Sequence, residues 1–275
     1  MAQIAVIEEL LKQGFVITSV AGSSIGAVVG GLYAGGTLPA YKDWLSTLDY
    51  WDVFNLLDFS LSSKGFIKGE KVFKIIAPFI ANKEIQDLDI PFVAVASDII
   101  NKRPVIYRNG SLRDAIRASV SIPTILHPIE TEDGLLVDGG VVNPLPVDLV
   151  ERNPGDLLVV VDVNAQVAYE KAEITKKQQS FLDELSRRFF KWNKTELVKK
   201  KNLGIFDMIN ESFDLTQEML TAAKLEHHKP DILLEIPRKL CGTMDFHRYA
   251  EIMETGRNAA IKAIGNYHNR LETSE

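Results

Sequence analysis

Gly22-Ser23-Ser24-Ile25-Gly26 sets a serine between glycines two residues before it and two after it. The apolar run 15–21 precedes this pentapeptide, and the small-residue run 27–34 follows it. A strand that turns sharply into a helix pushes such a serine hydroxyl outward, beside the helix N-terminus. Gly22 and Gly26 are expected to remove side chains that would crowd the turn. A serine in this position is a nucleophile for acyl transfer once a base accepts its proton. Five histidines are available, at 127, 227, 228, 247 and 268, and none lies in a local context that marks it as that base. A carboxylate is the better candidate. Asp138 leaves the apolar run 134–137 into Gly139-Gly140. An acid at the end of a strand, followed by a two-glycine turn, lies at the rim of an open α/β sheet, where ligands bind. Ser24 and Asp138 are therefore read as nucleophile and base.

Several elements must carry this pair. Strands are expected at 15–21, 92–99, 104–108, 134–138 and 157–163, the last a nearly continuous apolar run suited to a central parallel strand. Helical stretches between most of them, including 111–120, imply an α/β fold, a three-layer α/β/α sandwich with a mainly parallel central sheet. Residues 166–228 read as a helical, charge-rich insertion. A further strand follows at 230–237, and Asp245 is a candidate N-cap for a closing helix. The organisation is a single domain over 1–275: catalytic core 1–165, helical insertion 166–228, closing strand and helix 229–275.

Four segments, in order, resemble the bacterial patatin-like phospholipases. They are the pentapeptide around Ser24, Pro91-Phe92-Val93-Ala94-Val95-Ala96-Ser97-Asp98, Ala115-Ile116-Arg117-Ala118-Ser119-Val120-Ser121-Ile122-Pro123, and Leu136-Val137-Asp138-Gly139-Gly140-Val141-Val142-Asn143-Pro144-Leu145-Pro146. The similarity runs over roughly 3–165 and continues more weakly to about 264. It implies a patatin-like fold with a helical C-terminal region, a Ser24–Asp138 dyad, and serine hydrolysis of a lipid or phospholipid ester of the phospholipase A or lysophospholipase kind. It implies no cofactor, and Asp98, Asp138, Asp162 and the histidines show no metal-ligand spacing. The family also places a strand and a glycine-rich loop, roughly G-G-G-x-[RK]-G, ahead of its first helix, whereas Met1-Ala2-Gln3-Ile4 already reads as that helix. This leaves the Ile25 N–H as the expected oxyanion donor and leads to the expectation of an N-terminally truncated, impaired form. A weak relative, or replacement of the loop by another segment, are the other readings of the same departure. For function, the alternatives are an acyltransferase using Ser24 and a non-catalytic lipid-binding protein.

The formal charge of −6 gives no basic field for nucleic acid. The single cysteine, Cys241, and the absence of a signal segment in the sequence read favour a reducing, cytoplasmic setting, peripheral to membrane. Nothing in the sequence fixes an oligomeric state. Two stretches could meet lipid: the aromatic-rich 44–61, and the basic-aromatic 187–194 with Lys199-Lys200-Lys201. Core packing and a solvated helix are the competing readings of these two.

Overall fold

The computed structural model describes residues 1–49, 51–53, 59–62, 65–67, 70–80, 82–123, 125–169, 205–242 and 245–273. The chain begins with helix α1 (Ala2–Lys12), which ends at Gln13 before Gly14 takes a positive φ of 87°. Strand β1 (Val20–Ser23) leads through Ser24 into α2 (Ile25–Ala34), and α3 (Leu38–Thr47) follows. Next come β2 (Phe59–Ser62), β3 (Gly65–Ile67), α4 (Glu70–Ile80), β4 (Phe92–Asp98) and β5 (Arg103–Tyr107). Helix α5 (Leu112–Ser119) starts at Ser111, whose side chain accepts from the Asp114 N–H at 3.2 Å. The remaining elements are β6 (Ile129–Glu130), β7 (Leu135–Asp138), β8 (Val159–Ala165), α6 (Ile205–His227), β9 (Ile232–Pro237) and α7 (Tyr249–Glu272).

The architecture is the α/β sandwich with a helical C-terminal region, and its sheets are mixed. Parallel pairing occurs in β1–β4 and β8–β9, while β5 and β7 run antiparallel to β4, and β6 to β7. The expected predominance of parallel strands thus narrows to two pairs among the described residues, because β5 and β7 both return to β4 antiparallel. β4 organises the larger sheet and is buried along its whole length. β5 covers one edge, over Ala94–Asp98. The other edge is shared: β1 lies along Phe92–Val95 and β7 along Ala96–Asp98.

Several boundaries differ from the sequence expectation. β1 begins at Val20 rather than at 15, because β4 offers its first partner at Phe92, opposite Val20. Val16, upstream of that pairing, is 82% exposed. Asp245 does not cap α7, which starts four residues later; its carboxylate accepts from the Gly242 N–H at 2.9 Å and pairs with Arg248.

In β8 and β9, residues of alternate parity face opposite layers, as the two-residue side-chain period requires. Ile232 and Leu234 pack with Val6 and Leu10 of α1 and Ala260 and Ile264 of α7. Val160 and Leu233 pack on the other side with Leu145, Leu158 and Leu225 of α6. The main core joins α1, α2, α3, α4 and α5 to Phe92 and Ala94. The charged stretch at 187–201 lies outside the described residues.

Candidate active site

Register brings the two sequence-derived candidates together. β1 and β7 approach along the same edge of β4 from opposite directions. Ser23 is opposite Val95 and Asp138 is opposite Ala96, so the strands end at consecutive residues of β4. The residue after Ser23 is Ser24, and both it and Asp138 line one cavity of about 550 Å³. None of the five histidines lines it.

Ser24 has φ 55° and ψ −127°, a conformation that costs a non-glycine residue of order 1–3 kcal/mol and persists only where the surroundings impose it. Its N–H donates to Ser119 Oγ at 3.0 Å, and its C=O accepts from the N–H groups of Ala27 and Val28, opening α2. The Ile25 N–H belongs to the first turn, where an α-helix leaves its donors without intrahelical acceptors and carries partial positive charge. A Cβ on Gly22 would overlap the Gly26 backbone, so only glycine lets the strand pass so close to the helix start. At Gly26 an added Cβ would meet nothing nearer than Gln3 Nε2 at 3.5 Å, an ordinary contact. Crowding in the turn therefore falls on Gly22 and not on Gly26, because the helix backbone crosses the strand at 22.

Asp138 is 1% exposed. Its Oδ1 accepts from the Gly140 N–H at 2.7 Å. Its backbone is pinned at both ends, with N–H donating to Ser121 O and C=O accepting from Ser97 Oγ at 2.8 Å. A Cβ on Gly139 would overlap Val95 O, which is why the chain leaving β7 can turn directly over β4. Burial raises the carboxyl pKa from 3.8 to about 6, against the opposing pull of the Ser24 hydroxyl and the Gly140 N–H. Oδ2 makes no hydrogen bond of good geometry among the described residues. The Ser24 hydroxyl thus acts on the carboxylate through proximity rather than an aligned bond, a looseness common in sites without substrate.

Three buried serines whose roles were not legible in the sequence hold this geometry. Ser119 takes the Ser24 N–H, Ser97 donates to Asp138, and Ser23 Oγ donates to Asn143 O at 2.6 Å, tying the elbow to the loop beyond Asp138. All three are at most 8% exposed. Small polar residues inside otherwise apolar strand and helix faces are the signal that could have marked them, since a buried hydroxyl is retained where it has a partner.

The cavity lining is mainly apolar, with polar groups among it. Tyr41, Trp44, Leu45, Leu48, Phe73 and Ile76, with Ile122 and Ile125, make one apolar side. Part of the aromatic stretch 44–61 therefore faces the site, while residues 50 and 54–58 lie outside the described residues. Asp162, Asn164, Asp214, Gln217 and Arg238 add polar groups from β8, α6 and the residue after β9, interleaved with Val161, Phe213 and Ile236.

A serine elbow and a buried carboxylate on an α/β/α sandwich, above an apolar cavity, define the class of serine ester hydrolases. The family model described as patatin-like phospholipase matches residues 1–150, more than half of the chain, and the chain belongs to this family of lipid ester hydrolases. An NTE family protein of Mycobacterium tuberculosis H37Rv is 28% identical over 96% of this chain and 87% of its own length. Patatin-like phospholipase domain-containing protein 7 of Mus musculus is 25% identical over 93% of this chain and 19% of its own. Among solved structures, VipD from Legionella pneumophila aligns over 97% of this chain and 64% of that one, with a TM-score of 0.41 and 10% identity.

Proposed function

We propose that this chain hydrolyses a carboxylic ester of a lipid, in the manner of a phospholipase A or lysophospholipase, through an acyl-enzyme on Ser24. The carrying observation is that β1 and β7 end at consecutive residues of β4, which gathers the Ser24 hydroxyl and the Asp138 carboxylate into one cavity with an apolar wall.

In this reading Ser24 Oγ attacks the ester carbonyl carbon while Asp138 takes its proton. The oxyanion faces the Ile25 N–H and the positive end of α2. Collapse breaks the ester C–O bond, and Asp138 passes its proton to the leaving alcohol oxygen. Water enters, gives a proton to Asp138 and attacks the acyl carbon, and Ser24 recovers the proton as the free acid leaves. The apolar wall suits the acyl chain, since a pocket of this size buries most of a small amphiphile.

Labelling with a fluorophosphonate probe, alongside assay of a monoacyl phospholipid, tests this. Wild type should label and release fatty acid. Ser24→Ala should do neither, and Asp138→Asn should lose at least about 10²-fold in rate, since a general base contributes that much. Labelling that survives Ser24→Ala, or no labelling of folded wild type, overturns the proposal.

A further inference from the structure

Gln217 occupies a distinctive place among the polar residues of the lining. It lies on the inner face of α6, with Phe213, Asp214 and Thr221, and that face lines the cavity. Asn164 Nδ2, at the end of β8, donates to Gln217 Oε1 at 3.3 Å. This contact turns the other end of the amide toward the loop after Asp138. There a Cβ on Gly140 would fall on Gln217 Nε2 and 3.0 Å from Asp138 Oδ1. Nε2, with two N–H donors, makes no hydrogen bond among the described residues. A held donor without an acceptor, beside the proposed base and inside the cavity, has the form of a ligand contact.

The chemistry says which part of a ligand it meets. Asp138 returns its proton to the leaving alcohol oxygen, so the leaving group must lie beside Asp138, on the side where Gln217 stands. The acyl chain has the apolar residues of α3 and α4 in the same cavity. We infer, on the basis of the function proposed above, that Gln217 Nε2 binds an oxygen carried by the leaving alcohol and so selects esters of an oxygen-bearing alcohol such as glycerol over esters of a simple one. That oxygen is a free glycerol hydroxyl or a phosphodiester oxygen. The lining also holds Asp162 and Asp214, and Arg238 is already paired with Asp214 at 2.7 Å, so a neutral donor reads the head group here without a free cation from this pair.

Binding to the Ser24→Ala protein tests the inference without depending on turnover. Three monomeric ligands with the same acyl chain are compared: a monoacyl glycerophosphocholine, a monoacylglycerol and the fatty acid methyl ester. Adding Gln217→Leu should weaken one or both glycerol esters about tenfold, as for loss of a hydrogen bond, and leave the methyl ester unchanged. Gln217→Glu, which keeps an acceptor for Asn164 but removes the donor, should behave in the same way. Loss on both glycerol esters assigns the contact to a glycerol oxygen, and loss on the phosphocholine alone assigns it to the phosphodiester. Equal weakening of all three ligands, no weakening of any, or no binding of either glycerol ester overturns the inference. Failure of the function proposed above has a separate readout, in the probe labelling of wild type.

Discussion

At the scale of single residues, Asp138 is held in a conflict between solvation and use. Its pKa of about 6 in the folded protein lies above the ordinary 3.8, because burial penalises the charged form. The folded state therefore binds this proton more tightly than the unfolded chain does. The associated stability is full below about pH 4 and is lost as pH rises through 6. Asp138→Asn keeps a neutral acceptor for the Gly140 N–H. Urea unfolding should find this variant more stable than wild type at pH 8, by up to the order of 3 kcal/mol, and no more stable near pH 4. In the proposed reaction the same carboxyl must be ionised to act as base, so wild-type kcat/KM should climb through about pH 6 to a plateau. Ser24 and Asp138 were legible because turn chemistry leaves a strong local trace: glycines at fixed offsets around one, and two glycines after the other. Gln217 left no such trace, since its importance comes from β8 and the loop after β7, elements remote in sequence.

Among elements, the shared edge of β4 matters most. Sequence periodicity located β4, β7, β8, β9 and α5 to within a few residues, because each buries an apolar face or an apolar run. It could not show that β1 and β7 meet the same edge of β4, since register depends on partners. The predicted strand at 15–21 lost its first five residues for the same reason. Helix α5 serves this junction through its last residue: Ser119, 0% exposed, holds the N–H of the strained Ser24. Ser119→Ala would leave that donor orphaned, a cost of about 1–3 kcal/mol. If that cost falls on the elbow geometry needed in the transition state, kcat should drop about 5- to 160-fold with KM close to unchanged. Steady-state kinetics on a soluble ester, with circular dichroism to verify folding, checks this. A change in KM alone would show that the bond does not position the nucleophile.

For the whole molecule, the apolar clusters separate stability from chemistry. Leu234 of β9 is 1% exposed and packs against α1 and α7, in a cluster that contributes neither Ser24 nor Asp138. Leu234→Ala should cost about 2–5 kcal/mol in urea unfolding, yet leave kcat/KM unchanged wherever the protein remains folded. The burial of Asp138 has a different consequence for the proposed reaction, at the end of its cycle. A fatty acid formed at Ser24 would leave its new carboxyl beside the Asp138 carboxyl in a buried place, where two like charges cannot both be borne. In acid the pair shares a proton, and product lingers as a competitive inhibitor. A second carboxyl raises the pH at which the pair gives up that proton above the value of about 6 held by Asp138 alone, and once the proton is lost mutual repulsion favours release of the soap. In the proposed reaction the buried acid that activates the nucleophile thus also clears the site, and alkalinity favours both ends of the cycle.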